Sequence, residues 1–301
     1  MAKAFLFPGQ GSQYVGMGAD LYETNESLRS IYHSADQVSG LEITKTMFEG
    51  PEEALRKTQI TQPALYVHSL AVYRLVTDKG LIADVFAGHS LGEFSALAAA
   101  GVFSVEDGMK FVAKRGALMA QAKEGSMAAI IGLSDDAVIS ICSEIENIWP
   151  ANFNSPGQVV ISGAPEGIKK AIEKAKEASA KRALPLAVSG AFHTPFMQRA
   201  ASEFRAFLDQ FEFKKPKGKV IPNVTGEVTN DPGQIKEFLA KQLTSPVLWA
   251  KTMQTLTALG VRELYELGSG KVLCGLAKRG MSDVTCIWVG TVEEINGLFN
   301  S

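Results

Sequence analysis

One serine of the chain lies in a sequence pattern that is typical of a catalytic nucleophile. Ser90 is the central residue of Gly88-His89-Ser90-Leu91-Gly92, which matches the pattern G-x-S-x-G. Small flanking residues allow a sharp turn between a strand and a helix, and that turn exposes the serine hydroxyl. An apolar strand at 84–87 and an Ala-rich helix at 93–100 supply this context. The pattern predicts a nucleophile whose oxyanion the Leu91 N–H could stabilise; an ordinary glycine-flanked turn is the alternative.

A serine nucleophile requires a base, and the chain contains four histidines. His33 lies in a polar helical stretch and is expected at the surface, whereas His68 lies in an apolar helix predicted at 63–77 and is expected to be packed. His89 is adjacent to the serine, so its side chain should point away from the hydroxyl. His193 lies in a loop between a strand and a helix, where catalytic groups are common. We predict that His193 is the base, with helix capping as the alternative; because no aspartate partner is evident, a main-chain carbonyl could orient it.

An arginine interrupts an apolar helical stretch. Arg115 lies within 111–119, and a buried arginine usually pairs with a carboxylate of the protein or of a ligand. A surface arginine whose apolar stem lies along its neighbours is the alternative. The segment Phe7–Gln13 follows a predicted strand, but Tyr14 stands where a dinucleotide-binding loop has its third glycine, and Pro8 has no N–H for a phosphate. This segment therefore predicts a tight turn and not a nucleotide site.

The composition is that of an ordinary globular protein. The 301 residues carry a formal net charge of -2, which argues against a dedicated nucleic-acid binder. The apolar run at the N-terminus ends at Pro8-Gly9, too early for a secretion signal, and no segment is apolar over the length of a membrane span. Cys142, Cys274 and Cys286 form no C-x-x-C pair. We therefore expect a cytoplasmic protein without a disulfide or a zinc site, whose cysteines are core residues.

A segment in the middle of the chain differs in pattern from the α/β stretches on either side. Strand candidates occur at 127–133, 158–162 and 182–188, and helix candidates at 134–146 and 166–179. These candidates supply three of the four strands and both helices of the order strand–helix–strand–strand–helix–strand, and we interpret the segment as a ferredoxin-like fold. The predicted bounds are 1–124 and 192–301 for a large α/β catalytic subdomain and 125–191 for the small subdomain.

The motifs, in their order along the chain, resemble those of malonyl-CoA–acyl carrier protein transacylases. The segments that carry the resemblance are Phe7–Gln13, Gly88–Glu93, Lys114–Gly116, Asn152–Gln158 and Ala191–His193. The resemblance extends from about Ala4 to Arg279, which is nearly the whole chain. It implies an α/β fold with a hydrolase-like α/β large subdomain, an inserted ferredoxin-like small subdomain, and an active site in the cleft between them.

The resemblance also implies a reaction. A malonyl group would pass from coenzyme A to acyl carrier protein in a ping-pong sequence through a malonyl-Ser90 ester, with His193 as the base. The main-chain N–H groups of Gln10 and Leu91 would form the oxyanion hole. Arg115 would bind the free malonyl carboxylate through two parallel hydrogen bonds, a geometry that lysine cannot copy.

Three further residues receive roles from the resemblance alone. The main-chain carbonyl of Leu248 would orient the histidine; Leu248 departs from the polar residue often found there, which a main-chain acceptor should tolerate. Met119 and Phe192 would line the acyl pocket, where Phe192 would crowd a methyl group on the α-carbon of malonyl. Malonyl-CoA is implied as substrate, with no permanently bound cofactor and no metal.

The implied partners are acyl carrier protein and a coenzyme A thioester, and the chain is expected to be a monomer. Carrier proteins are acidic as a class, so a basic surface beside the cleft is expected. Its candidates are Lys181, Arg182, Lys278 and Arg279, with a solvated charged face as the alternative. Fatty-acid synthesis is the implied pathway, and a free-standing malonyl acyltransferase of a polyketide synthase would share every motif. A serine hydrolase or thioesterase would share the serine turn but would not need a buried arginine.

Overall fold

Nine strands form two separate sheets in the computed structural model, which describes residues 2–122, 125–188 and 190–300. In chain order the strands are β1 (Ala2–Phe7), β2 (Val85–Gly88), β3 (Ser126–Ile131), β4 (Ile148–Ser155), β5 (Gln158–Gly163), β6 (Arg182–Pro185), β7 (Lys219–Ile221), β8 (Val261–Leu267) and β9 (Thr285–Val289). The α-helices are α1 (Ala19–Thr24), α2 (Arg29–Ser39), α3 (Ile43–Glu49), α4 (Glu52–Leu55), α5 (Thr58–Asp78), α6 (Gly92–Ala99), α7 (Val105–Gln121), α8 (Asp135–Ser143), α9 (Pro165–Glu177), α10 (Gln198–Leu208), α11 (Pro232–Lys241), α12 (Trp249–Ala258), α13 (Val272–Gly280) and α14 (Val292–Phe299). Short 3₁₀ turns occur at Glu26–Leu28, Pro195–Met197 and Gln242–Thr244. Within the described ranges, no helix combines the length and the apolar character needed to cross a membrane.

The larger sheet is parallel throughout, with the strand order β7-β2-β1-β8-β9. Alternate side chains of the central strand β1 belong to two separate apolar cores, one on each face of the sheet. A strand covered on both faces must be apolar at every position, which explains the continuous run Ala4–Phe7. Phe7 at the end of β1 pairs with Gly88 at the end of β2, so the loops that follow both strands meet at the same edge of the sheet.

The smaller sheet is antiparallel, with the strand order β4-β5-β3-β6. Its elements follow one another as β3-α8-β4-β5-α9-β6, which is the element order of a ferredoxin-like fold. Apolar side chains of β3 and β5 pack against α8 and α9 in a core of their own. The predicted α/β body with a ferredoxin-like insert is therefore confirmed. The exact bounds of the insert stay a prediction, and positions 123, 124 and 189 near them lie outside the described residues.

The strand β4 connects the two parts of the molecule. It is an edge strand of the smaller sheet, and Pro150 is tolerated there beside a register shift between Pro150 and Asn152. The N–H of Phe153 donates to the carbonyl of Val247, and the N–H of Val247 donates to the carbonyl of Ala151, both at 2.9 Å. These main-chain hydrogen bonds attach β4 to the segment that precedes α12, so they fix one side of the cleft.

The cysteines differ in part from the expectation. Cys274 in α13 and Cys286 in β9 form a disulfide, with Cα atoms 5.3 Å apart, so the prediction of a chain without a disulfide is wrong. The reason is tertiary: α13 packs back onto β9, which brings together two cysteines that form no recognisable pair in the sequence. The cysteine argument for a reducing compartment loses its basis. Cys142 is buried in the core of the smaller sheet, as expected.

Candidate active site

Ser90 lies at the sharp turn between β2 and α6. Its φ is 51°, a left-handed conformation that costs energy for any residue except glycine. A Cβ atom added to Gly88 would lie 2.0 Å from the main chain of Gly92, and one added to Gly92 would lie 2.0 Å from the carbonyl oxygen of Phe7. Close main-chain contacts therefore require both glycines of the motif. The strand and the helix on either side are those that the sequence pattern predicts.

The imidazole of His193 is hydrogen-bonded to this serine. Its Nε2 lies 2.9 Å from Ser90 Oγ, and its Nδ1 lies 2.8 Å from the carbonyl oxygen of Gln242. Because a carbonyl only accepts, Nδ1 carries the proton and Nε2 is free to accept the hydroxyl proton of Ser90. Burial, reinforced by the positive charge of Arg115, lowers the pKa of His193 to about 3. The imidazole is therefore neutral near pH 7, as a general base must be.

The prediction that the Leu248 carbonyl orients the histidine is wrong. That carbonyl accepts the Thr252 N–H at 2.9 Å, which is the first hydrogen bond of α12. The orienting carbonyl belongs instead to Gln242, whose 3₁₀ turn directly follows α11. The expected type of acceptor, a main-chain carbonyl, is present at Gln242, whereas the carbonyl of Leu248 accepts from the N–H and the hydroxyl of Thr252 at the start of α12.

Arg115 lies on α7 and is fully buried. Its Nη2 donates to Ser90 Oγ at 3.1 Å and to Gln242 Oε1 at 2.8 Å, and its guanidinium lies 5.5 Å from the centre of the Phe94 ring. None of the salt bridges among the described residues involves Arg115. The Nε–H of Arg115 has no hydrogen-bond acceptor among these residues. Burial lowers its pKa to about 9, against the opposing influence of Glu93, so the side chain is cationic near pH 7. A buried cation with unused donors is a site for an anionic ligand group.

Two main-chain N–H groups beside Ser90 are available to a ligand. Within the described part of the chain, no residue accepts a hydrogen bond from the N–H of Gln10 or of Leu91. The N–H of Ser90 itself is occupied, because it donates to Asn223 Oδ1 at 2.6 Å. Gln10 and Leu91 both line the cavity that contains the serine. Main-chain N–H groups without an acceptor are the type of donor that binds a developing oxyanion.

A cavity of about 290 Å³ contains these groups and lies between the two sheets. From the larger part it is lined by Gln10, Gln62, Ser90, Leu91, Arg115, Met119, Phe192, His193, Val272 and Leu276, and from the smaller part by Met127, Ala129, Asn152, Asn154, Gln158, Val160, Leu186 and Val188. The predicted pocket residues Met119 and Phe192 thus lie in the same cavity as Ser90. Met119 is held by Gln62, whose Nε2 lies 3.1 Å from its Sδ.

The other three histidines do not contact the serine hydroxyl. His33 is exposed and His68 is fully buried, as expected. The Nε2 of His89 lies 2.8 Å from Asn154 Oδ1, and its ring lies 5.6 Å from that of Trp249. His89 therefore attaches the serine turn to β4 and is not a second base.

A model of the acyl transferase domain family matches residues 4–287. The chain belongs to this family. A malonyl CoA-acyl carrier protein transacylase of Staphylococcus aureus is 44% identical over 301 residues, which cover 98% of this chain and 97% of the relative. The solved structure of an acyl carrier protein S-malonyltransferase from Vibrio cholerae has a TM-score of 0.95 and 43% identity, covering 99% of this chain and 100% of that one. The solved structure of a type II polyketide synthase acyl carrier protein in complex with its malonyl-transacylase has a TM-score of 0.95 and 38% identity, covering 100% of this chain and 99% of the matched chain.

This acyl transferase site contains polar residues that the sequence patterns did not indicate. Asn223 clamps the serine turn, since its Oδ1 accepts from Ser90 and its Nδ2 donates to the carbonyl of Gly88, both at 2.6 Å. Gln242 Nε2 donates to the carbonyl of Ser90 at 2.9 Å. Asn223 follows β7, the neighbour of β2, so its place at the carboxyl end of a parallel strand was a usable signal. Gln242 lies in no recognisable motif.

The four cationic residues of the predicted carrier-protein surface, Lys181, Arg182, Lys278 and Arg279, are exposed and lie outside the cavity wall. They form two pairs, one at the start of β6 and one at the end of α13. The turn 156–157 lies near both pairs: the Gly157 carbonyl accepts from the N–H of Gly132, beside Lys181, and a Cβ atom added to Gly280, beside Arg279, would lie 3.7 Å from Pro156. Gln158, next to that turn, lines the cavity, so the turn connects the neighbourhood of both pairs to the cavity wall.

Proposed function

We propose that the chain is a malonyl-CoA–acyl carrier protein transacylase that supplies malonyl groups for fatty-acid biosynthesis. The observation that carries this proposal is the buried guanidinium of Arg115, with unused donors, in the same cavity as the Ser90–His193 hydrogen bond. A serine and a histidine alone suit many acyl transfers and hydrolyses, whereas a buried cation beside them favours an acyl group with a free carboxylate. The names of the similar proteins support the same choice.

The first half of the proposed reaction loads the serine. Malonyl-CoA binds with its carboxylate on Arg115 and its thioester carbonyl between the N–H groups of Gln10 and Leu91. The Ser90 Oγ attacks the thioester carbon while its proton moves to His193 Nε2. The carbon–sulfur bond then breaks, and the coenzyme A sulfur leaves with the proton from the imidazolium. The product is a malonyl-Ser90 ester, and His193 is neutral again.

The second half repeats the chemistry in reverse with a different thiol. The phosphopantetheine thiol of acyl carrier protein enters after coenzyme A has left, and His193 Nε2 takes its proton. The sulfur attacks the ester carbon, the oxyanion again lies between the two main-chain N–H groups, and the Ser90 oxygen leaves with the proton. One base thus serves both thiols in turn, which is a ping-pong mechanism.

The proposed function is tested by intact-mass measurement. Mixing the protein with malonyl-CoA should add one malonyl group, which peptide mapping assigns to Ser90, and added carrier protein should remove it and become malonylated. The Ser90→Ala variant is the control and should gain no mass. Loss of the adduct to free malonate, with no carrier protein modified, would instead identify a serine hydrolase or thioesterase. An adduct on another residue would also contradict the proposal.

One comparison supports a polyketide synthase carrier protein as an alternative acceptor of the malonyl group. The transacylase in the polyketide synthase complex matches this chain over its full length, so a free-standing malonyl acyltransferase of a polyketide synthase is the alternative. The motifs and the site are the same in both cases. Transfer rates to a fatty-acid carrier protein and to a polyketide carrier protein, together with the neighbouring genes, distinguish them.

We propose that the two cationic pairs bind the acidic carrier protein. Reversing one pair in Lys278→Glu/Arg279→Glu should raise the KM for carrier protein about tenfold, because opposite charges would become like charges. Malonyl loading from coenzyme A should change little. The control is Lys169→Glu, an exposed lysine on α9. An unchanged KM for carrier protein would remove this pair from the proposal, and the same reversal at Lys181 and Arg182 tests the other pair.

The proposal includes a monomer in the cytoplasm. A single chain supplies the nucleophile, the base, the cation and both main-chain donors, so no second copy is needed to complete the site. The apolar run at the N-terminus belongs to the central strand β1, which supports its reading as part of the fold and not as a secretion signal. Residues 125–191 remain the proposed small subdomain.

A further inference from the structure

Glu93 is a buried carboxyl group, 2% exposed, at the first turn of the helix that follows Ser90. It contacts neither the serine hydroxyl nor the imidazole. Its Oε2 accepts two hydrogen bonds, from Gln242 Nε2 at 2.6 Å and from the main-chain N–H of Asn223 at 3.1 Å. Its Oε1 accepts none from the described residues. A carboxyl group is costly to bury, so its place three residues after the nucleophile needs an explanation.

Gln242 links this carboxyl group to the catalytic groups. Its Nε2 donates to Glu93 and to the Ser90 carbonyl, its Oε1 accepts from Arg115 at 2.8 Å, and its main-chain carbonyl accepts from His193 at 2.8 Å. With the side-chain amide reversed, its oxygen would face two acceptors and its NH₂ group would face the guanidinium. The carboxyl group therefore acts together with the Ser90 carbonyl and Arg115 to fix which end of the amide faces the guanidinium.

Asn223 gives Glu93 a second connection to the nucleophile. The Glu93 Oε2 fixes the main chain of Asn223, and the Asn223 side chain holds the N–H of Ser90 and the carbonyl of Gly88. One oxygen atom thus supports the residue that clamps the serine turn and the residue that orients the base and the cation. Such an arrangement holds reacting groups in the geometry that fast transfer requires.

We propose that Glu93 is a positioning residue for acyl transfer, whose accepting oxygen orients Gln242 and Asn223 and through them His193, Arg115 and Ser90. The inference rests on the proposed function. Glu93 must supply an accepting oxygen within hydrogen-bond distance of Gln242 and Asn223; a negative charge is not required. Burial raises the pKa of Glu93 to about 7, so its acid form, which keeps an accepting oxygen, is populated near neutral pH.

Two variants of Glu93 distinguish the position of its accepting oxygen from its negative charge. Glu93→Gln removes the charge but can place its Oε1 where Oε2 lies, with its NH₂ group at the position that has no partner; its kcat/KM for malonyl-CoA should stay within about fivefold of the wild type. Glu93→Asp keeps the charge but withdraws the acceptor by one methylene group. Its kcat should fall and its KM should rise, giving a loss of about 100-fold in kcat/KM, because both the base and the cation lose their orientation.

The measurements are kcat and KM per active site, with the sites counted by intact mass after malonyl loading, and the thermal unfolding midpoint. The control is Tyr66→Phe, which removes a partly buried hydrogen bond to the Val105 carbonyl outside the site and should lower the midpoint without changing kcat. Glu93→Asp with wild-type kinetics per active site, or Glu93→Gln as impaired as Glu93→Asp, would overturn the inference. If the wild-type protein forms no malonyl ester, the proposed function fails instead, so the two failures are distinguishable.

Discussion

Replacing His193 should lower the rate constant of malonyl loading by about 10⁴-fold. Among the described residues, the side-chain partner of its Nε2 is Ser90 Oγ, so the variant leaves the hydroxyl without a base at either half of the transfer. His193 has a φ of 61°, a conformation that asparagine adopts more readily than alanine. His193→Asn is therefore the preferred variant, and rapid-quench intact mass gives the loading rate. His33→Asn, at an exposed position, should load at the wild-type rate.

The pH dependence of malonyl loading by the wild-type protein is a second test of His193 as the base. A pKa lowered to about 3 means that His193 loses its proton well below neutral pH, so the fraction of active base does not fall between pH 8 and about pH 5. Loading should therefore stay nearly constant over that interval. A decline with a midpoint near 6.5, the usual pKa of histidine, would show that the base is solvated. Loading by His193→Asn within tenfold of the wild type would show that another group is the base.

Local signals predicted those elements of the fold that depend on neighbouring residues. The strand and helix around Ser90 fall within one residue of their predicted ends, because the glycine contacts and the apolar run are encoded in adjacent positions. Proline residues prevented the correct prediction of two elements. The helix α5 begins at Thr58, before the predicted start at Pro63, and β4 contains Pro150, which is tolerated only because the strand is an edge.

The site was predictable where the chemistry itself restricts the residue type. Ser90, His193 and Arg115 are identified by what they can do, and the structure brings them together across long sequence separations. The groups that orient these three residues could not be identified in the same way. Gln242 orients His193 through a main-chain carbonyl, which every residue possesses, so neither the residue type nor its spacing indicates that role. The Cys274–Cys286 disulfide is similar, since only the packing of α13 on β9 places the two sulfur atoms together.

Replacing Arg115 should change the substrate preference rather than abolish the chemistry. In Arg115→Ala, kcat/KM for malonyl-CoA should fall about 10³-fold, because two charge-assisted hydrogen bonds to a buried carboxylate contribute about 4 kcal/mol and each 1.4 kcal/mol is tenfold. Acetyl-CoA has no carboxylate to lose. Its kcat/KM should fall less than about tenfold, through the loss of the Arg115 hydrogen bond to Ser90 Oγ.

The ratio of the two kcat/KM values is the decisive quantity, because damage to folding or to the serine affects both substrates alike. Arg115→Lys is the matched control: it keeps a cation in the same place but cannot form two parallel hydrogen bonds, so its malonyl preference should lie between those of the wild type and Arg115→Ala. Equal losses for malonyl-CoA and acetyl-CoA in Arg115→Ala would mean that the guanidinium only supports Ser90 and Gln242. A serine hydrolase or thioesterase would then explain the site as well as a malonyl transferase does.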